Sequence, residues 1–188
     1  DALVASEGTP DVVQISGGEP TIHPDILAIL RMARTKPIKH LMLNTNGVRL
    51  AREPEFVAAL NEFTPGFEVY LQFDALDDGA LQDIRGADLV AARMKALQHL
   101  EAEGISTTLV VTVKAGINDA HLWRMVETAL EYRCVRGVTF QPVQDAGRNP
   151  LFDKARHRSL LTDIRRQLIE DSGVFGEDDL LPLPCNPE

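Results

Sequence analysis

Residues 14–21, QISGGEPT, join an apolar run to two consecutive glycines and a glutamate. The run they continue, VVQIS at 12–16, has the composition of a β-strand. Two residues without a Cβ atom let the backbone adopt positive φ angles and come close to a bound molecule. Glu19 then stands where a parallel strand ends, and α/β folds place ligand contacts at that end. The segment is therefore predicted to be a strand followed by a binding turn.

Outward from this segment, β-rich runs alternate with runs of helical periodicity. Strands are predicted at residues 11–16, 39–45, 67–74, 106–113 and 137–143. Helices are predicted after Asp25, from Pro54, over 89–100 before Gly104, over 122–129 and near 156–171. Strands that alternate with helices indicate βαβ units and a parallel sheet. Right-handed crossovers make that sheet either open and doubly wound or part of a barrel.

The first residues, DALVASEG at 1–8, have the pattern of a helix end closed by Gly8. A helix there implies an earlier strand, since residues 12–16 would otherwise form an exposed apolar edge. At least one strand–helix unit is therefore expected upstream. The predicted division is a core over 1–150, followed by a C-terminal helix and loop over 151–188 that lead to a further extension.

Composition places the chain among globular domains and disfavours two classes of partner. Of the 188 residues, 44% are apolar and 25% are charged. The net charge is 19 − 28 = −9, and without a basic stripe nucleic acid is an unfavourable partner. No apolar run approaches the roughly 18 residues of a transmembrane segment. The two cysteines, Cys134 and Cys185, are far apart, which favours a reducing cytoplasm over a disulfide framework.

The glycines do not match the common phosphate-binding patterns. A dinucleotide-binding turn needs G-x-G-x-x-G with an acidic residue about 20 positions later, and a P-loop needs Lys and Ser or Thr after its glycines. Neither follows Gly18. A carboxylate beside exposed carbonyls suits a cationic amine better than a phosphate.

On these residues the chain resembles the radical S-adenosylmethionine (SAM) superfamily, whose Gly-Gly-Glu motif holds the amino group of the cofactor's methionine part. LNTNG at 43–47, LQFDAL at 71–76, IRG at 84–86 and GIND at 116–119 resemble segments of the molybdenum-cofactor GTP cyclase branch. VVQISGGEPT, together with PLPC at 182–185, is similar to the branch of tetraether lipid synthases and archaeal pterin-methylating enzymes. The order and spacing of these motifs over residues 10–148 carry the resemblance.

This resemblance implies a partial TIM-type (β/α)6 barrel of parallel strands, with its first strand–helix unit missing from this chain. The implied cofactors are SAM and a 4Fe–4S cluster, with an electron donor such as flavodoxin or ferredoxin. The implied chemistry is a 5′-deoxyadenosyl radical that abstracts hydrogen from a substrate, which is a small molecule, a lipid, a pterin or a peptide.

The resemblance also assigns roles to individual residues. Gly17, Gly18 and Glu19, followed by Pro20, would hold the methionine amine. Thr45 would face the cofactor from the strand at 39–45, and Gln72 would occupy the polar position of the next strand, with Asp74 after it. Val111 or Val113 would pack on adenine, and Gln141 would lie near it at the end of the last strand.

One defining motif of the superfamily is absent. The C-x-x-x-C-x-x-C loop that binds the cluster belongs just after the first strand, the segment expected upstream, so the chain as given cannot hold the catalytic cluster. Cys134 follows a helical stripe and is expected to be a small buried residue. Cys185 is either an exposed free thiol or a ligand of an auxiliary cluster.

Plainer interpretations stay open at this stage. Gly17, Gly18 and Glu19 could form an ordinary βα turn, and Thr45 and Asn46 could serve only the turn at Gly47. Another class of βα-barrel enzyme, a lyase or an aldolase, would need a strand-end lysine or clustered carboxylates, and Lys114 is the obvious lysine. A non-catalytic barrel used for binding or as a scaffold is the remaining alternative.

Overall fold

The structure, a computed structural model, describes residues 1–144 and 152–180. Its centre is a sheet of five strands in the order β1-β2-β3-β4-β5, and every neighbouring pair is parallel. The strands are β1 (Val12–Ile15), β2 (His40–Thr45), β3 (Phe67–Gln72), β4 (Thr107–Val113) and β5 (Val135–Pro142). All five predicted strands and their parallel arrangement in an open α/β sheet are confirmed.

Helices connect the strands, as parallel pairing requires. They are α1 (Ala2–Glu7), α2 (Ile26–Arg34), α3 (Val48–Arg52), α4 (Pro54–Leu60), α5 (Asp78–Arg85), α6 (Val90–Glu103), α7 (Leu122–Leu130), α8 (Lys154–His157) and α9 (Leu161–Ser172). Short 3-10 turns lie at Pro20–Ile22, Asn61–Phe63 and Asp119–His121. The helix end expected at residues 1–8 is confirmed as α1, which Gly8 closes with a φ of 69°.

The helices differ from the sequence prediction in two places. α3 and α5 were not predicted, because α3 has only five residues and α5 buries only Ala80 and Leu81. The helix predicted near 156–171 is confirmed as α9, which ends before Gly173, but its predicted start is wrong, since residues 158–160 separate α8 from α9. Leu160 is extended there, and its N–H donates to the Asp163 carboxylate at 3.3 Å, which starts a new helix at Leu161.

Alternation along the strands divides the sheet into two faces. On one face, residues such as Leu43, Leu71 and Val111 are fully buried in a core shared with the helices. Ile164 and Leu168 of α9 belong to the same core. α9 therefore packs against the core formed by the sheet and its helices. The predicted domain division at residue 150 lies outside the described residues and stays a prediction.

The other face, called the open face below, is polar and partly exposed. Its residues, placed by register and alternation, are Val12, Gln14, His40, Met42, Asn44, Glu68, Tyr70, Gln72, Thr108, Val110, Thr112, Gly137, Thr139 and Gln141. Val12, Met42 and Val110 are the apolar side chains among them, so the face is largely polar. Side-chain hydrogen bonds cross it, from Gln72 to Asn44 and from Gln141 to Tyr70, each at 3.3 Å. A polar face on a sheet otherwise rich in valine and leucine indicates a surface that meets a ligand or water rather than a second core.

Within residues 1–144 and 152–180, no helix has both the length and the apolar character that crossing a bilayer demands.

Candidate cofactor-binding site

The turn after β1 is built from two glycines in left-handed conformations. Gly17 has a φ of 103° and Gly18 a φ of 56°, angles that residues with a Cβ rarely adopt. Both are exposed, and a Cβ added at either would meet no atom within 4 Å. The space beside this backbone is therefore open, as the sequence predicted for a binding turn.

The carboxylate of Glu19 ties this turn to the end of β2. Its Oε1 accepts hydrogen bonds from Thr21 N at 3.1 Å, Thr21 Oγ1 at 2.6 Å and Thr45 Oγ1 at 2.7 Å. Its Oε2 accepts one from Asn46 N at 2.7 Å. Because β1 and β2 are parallel neighbours, their C-terminal ends meet at one edge of the sheet, and Glu19 joins the two loops that leave it. Pro20 opens the 3-10 turn that follows.

A cleft of about 610 Å³ lies beside this junction. Glu19 and Asn46 line it together with Thr21, Val48 and Arg49. Arg49 stabilises its wall, since its guanidinium donates to the Thr21 carbonyl and to Glu53, and lies 4.0 Å from the centre of the Phe56 ring.

Gln72 and Gln141 lie on the open face near the same edge, as predicted. Gln72 ends β3 and Gln141 is paired in register with Thr112. Each amide donates one N–H within the face, and among the described residues its carbonyl oxygen accepts no hydrogen bond, so that oxygen can serve a ligand. Val113 is different, because its side chain is fully buried in the core on the helix-covered face, as is that of Val111.

Asp74, which follows β3, is fully buried and has a φ of 47°. Arg85 binds its carboxylate through Nε at 2.8 Å and Nη2 at 2.9 Å, and Arg93 Nη2 binds it at 3.0 Å. Thr112 N donates to it at 3.0 Å. These four donors occupy the carboxylate, so Asp74 orients two arginines and does not face the open sheet.

The ionisation of this cluster follows from its surroundings. Burial alone would raise the pKa of Asp74, but the hydrogen bond and charge of Arg85, the charge of Arg93 and the Thr112 N–H outweigh it and lower that pKa. Burial lowers the pKa of Arg93, which Asp74 partly offsets. Within the described residues, the buried Arg93 Nε has no hydrogen-bond partner. Arg93 therefore depends on Asp74 for its charge balance.

The positively charged guanidinium of Arg85 lies beside the open face. Its Nη2 also donates to Thr112 Oγ1 at 3.1 Å, and its side chain is 30% exposed. In the part of the chain that the structure describes, its Nη1 makes no hydrogen bond. Two arginines share one aspartate, so the cluster has a net charge of +1 and presents a guanidinium with free donors at the edge of the face.

Lys114, the strand-end lysine of the alternative barrel enzymes, is engaged elsewhere. Its side chain is 6% exposed, and its Nζ lies 2.5 Å from Asp83 Oδ1. A Schiff-base lysine needs a free amine that reaches substrate, and this ammonium is instead buried in an ion pair with Asp83.

The comparison with protein families decides the class. The sequence profile of the Radical SAM superfamily matches residues 1–129, which include the glycine turn, β1 to β4 and the Asp74 cluster.

The chain belongs to the radical SAM superfamily.

Several curated relatives are radical SAM enzymes of known names. The 7,8-dihydro-6-hydroxymethylpterin dimethyltransferase of Methanocaldococcus jannaschii is 31% identical over 92% of this chain and 34% of its own length. The GTP 3′,8-cyclase of Chlorobaculum tepidum is 32% identical over 77% of this chain and 43% of its own. The mycofactocin maturase MftC of Mycobacterium tuberculosis is 29% identical over 68% and 32%. The chain thus spans a third to under half of the length of these relatives.

The fold also matches a solved radical SAM structure, that of native anSMEcpe with bound AdoMet and Kp18Cys peptide. The TM-score is 0.55 at 16% sequence identity, over 85% of this chain and 44% of that one. Likeness at this identity confirms the parallel, partly closed architecture that the motifs implied.

Radical SAM proteins use SAM and a 4Fe–4S cluster, and the two cofactors fit this chain differently. The open glycine turn, the Glu19 carboxylate and the free donors of Arg85 suit a zwitterionic amino acid. For the cluster, residues 1–144 and 152–180 contain no group of three or more His, Cys, Asp and Glu placed to bind a metal. The described residues therefore fit SAM and do not fit the cluster.

Cys134 confirms this mismatch. It directly precedes β5, at the edge of the sheet opposite the glycine turn, and is buried. Burial, followed by the neighbouring Glu101, raises the pKa of its thiol to about 12, so the thiolate that would bind iron is scarce at neutral pH. Cys185, the predicted auxiliary ligand, lies outside the described residues.

Sequence reasoning did not assign Arg85, Arg93 and Asn118 to the site. Asn118 Nδ2 donates to the Asp74 and Thr112 carbonyls at 2.8 and 2.7 Å and so joins the ends of β3 and β4. The resemblance of IRG at 84–86 and GIND at 116–119 to segments of the superfamily is a signal for Arg85 and Asn118. Arg93 lies among the buried apolar residues of α6, and its charge is the one sequence feature that sets it apart from them.

Proposed function

We propose that this chain is the SAM-binding core of a radical SAM enzyme. The observation that carries the proposal is the open Gly17–Gly18 turn beside a Glu19 carboxylate that three residues hold in place. When bound and reductively cleaved, SAM supplies a 5′-deoxyadenosyl radical that takes hydrogen from a substrate. The chain's part is to bind and orient the cofactor and to exclude water.

The hydrogen-bond donors and acceptors at the C-terminal edge of the sheet suit both the amino-acid end and the nucleoside end of SAM. Carbonyls of the glycine turn and Glu19 Oε2 accept from the methionine ammonium, and the free donors of Arg85 bind the carboxylate. Gln72 and Gln141 offer amides to the nucleoside from the open face. Asp74 and Val113, which are buried, are not among these contacts.

In this proposal the cluster ligands lie outside residues 1–144 and 152–180, because the only cysteine described there is Cys134. A pterin is the first substrate to test, since a pterin dimethyltransferase matches 92% of this chain. A soluble electron donor, such as flavodoxin or ferredoxin, would reduce the cluster.

The test is SAM binding by the full-length protein, reconstituted without oxygen and measured by equilibrium dialysis. Glu19→Gln keeps the size of the side chain but removes its charge, so we expect at least a tenfold weaker affinity, typical of a lost hydrogen bond to a charged group. The matched control is Glu101→Gln, whose carboxylate accepts the Cys134 N–H at the opposite edge. Equal affinities of wild type and Glu19→Gln would contradict the proposed contact, and no SAM binding by wild type would contradict the function.

A further inference from the structure

Thr45 contacts Glu19 from the helix-covered side of the sheet and not from the open face. It ends β2 on the helix-covered face, and its side chain is fully buried. Its hydroxyl donates to Glu19 Oε1 at 2.7 Å and accepts from Gly47 N at 3.2 Å. With its donor and one acceptor position used inside the protein, Thr45 acts on a ligand only through Glu19.

The two oxygens of Glu19 are used unequally. A carboxylate oxygen has about two lone-pair positions, and Oε1 receives three donors, from Thr21 and Thr45. Among the described residues, Oε2 receives only the Asn46 N–H. One acceptor position is therefore left, and it belongs to Oε2.

The turn that carries Asn46 is itself held rigidly. Asn46 Oδ1 accepts from Val48 N at 2.9 Å, and Gly47 has a φ of 79°. The Asn46 N–H fixes Oε2, while Thr45 and Thr21 fix Oε1, so the bonds from Thr45 and Asn46 hold the plane of the carboxylate together with those from Thr21.

We infer that Thr45 is a positioning residue that aims Glu19 Oε2 at the ammonium group of the cofactor's amino-acid end. This inference rests on the proposed function. Without the Thr45 hydroxyl the carboxylate keeps its charge but loses one of the bonds that fix its plane, and orientation is what a charge-assisted hydrogen bond requires. The effect is confined to ligands that carry the amine.

The experiment compares three ligands with four forms of the reconstituted full-length protein. SAM and S-adenosylhomocysteine carry the amine, and 5′-methylthioadenosine lacks the amino-acid part. Thr45→Val keeps the shape and removes the hydroxyl, so we expect dissociation constants about tenfold higher for the first two ligands and unchanged for the third. Thr45→Ser, which restores the hydroxyl, is expected to bind as wild type does.

Thr107→Val is the matched control. Thr107 is equally buried, and its hydroxyl donates to the Ile105 carbonyl at 2.9 Å at the far edge of the sheet, so its loss should leave all three affinities unchanged. Wild-type binding of SAM by Thr45→Val would overturn the inference, as would equal losses for SAM and 5′-methylthioadenosine. Wild type that binds no SAM would overturn the proposed function itself.

Discussion

At the scale of single residues, Asp74 organises the end of β3. Its carboxylate balances Arg93, which is 1% exposed, and orients Arg85 toward the open face. Removing one partner of a buried ion pair leaves an uncompensated charge. We therefore expect Asp74→Asn to lower the free energy of unfolding by about 3–5 kcal/mol in urea denaturation. Asp11→Asn breaks an exposed pair with Lys39 and is expected to change little.

The same carboxylate predicts a dependence on pH. Because its pKa is lower in the folded protein than in the unfolded chain, its contribution is complete above the unfolded pKa of about 4 and is lost as the pH falls through the folded value. The stability difference between wild type and Asp74→Asn should thus be constant from pH 7 to about 4 and shrink below that. A difference that grows on acidification would contradict this assignment.

Cys134 should be unreactive in the folded protein. Its thiol is buried, with its pKa raised to about 12, and alkylation requires an exposed thiolate. Peptide mass spectrometry after iodoacetamide treatment at pH 8 should find Cys134 unmodified in native protein and modified in urea. Cys134→Ser should also leave the iron content unchanged, and a loss of iron would make this thiol a cluster ligand.

Sequence alone was sufficient to predict the turn after β1, which neighbouring residues form. Gly17, Gly18 and Glu19 were recognisable because two glycines and an acid follow a strand directly. The partners of Asp74 lie 11, 19 and 38 residues away, and Thr45 lies 26 residues from Glu19. Such pairs depend on which strands become neighbours, so their side chains could be noted as candidates but their functions could not be predicted.

At the scale of elements, the close packing of α3 and α6 against the sheet fixes the position of the loop at Asn46 and Gly47 that binds Glu19. Gly47 precedes α3, and a Cβ there would lie 2.7 Å from Leu71 Cδ1 and 3.4 Å from Ala96 Cβ. Gly104, after α6, also has a positive φ but open space around it.

This contrast predicts different costs for one substitution. Gly104→Ala is expected to lower the free energy of unfolding by about 1 kcal/mol, because only the strain of a left-handed alanine is added. Gly47→Ala adds a clash in the core, which costs about 1–3 kcal/mol more, and it should also weaken SAM binding because the loop shifts. Urea unfolding of both variants checks the order, and equal losses of stability would show that the close approach is unimportant.

The strands were predictable because short runs of apolar, aromatic and β-branched residues, bounded by glycine and proline, are local patterns. α3 and α5 were not, since short helices with few apolar residues are stabilised by packing and caps that involve distant parts of the chain. Asp77, whose side chain caps α5 through Ala80 N, and Gly86 at its end were the available signals.

At the scale of the whole molecule, five parallel strands bring the C-terminal loops to one edge, and that edge collects the glycine turn, Glu19, Gln72, Arg85 and Gln141. The alternation of elements predicted this topology. It could not predict that one face of the sheet is largely polar. That property depends on which residues of neighbouring strands lie side by side, and strand register is not visible in the sequence.

The decisive measurement is 5′-deoxyadenosine formation by the full-length protein, reconstituted without oxygen and given dithionite and SAM. We expect about four irons per chain, cleavage of SAM by wild type and by Glu101→Gln, and little cleavage by Glu19→Gln. Full iron content with no 5′-deoxyadenosine from wild type, or undiminished cleavage by Glu19→Gln, would contradict the assignment of this sheet edge as the SAM site.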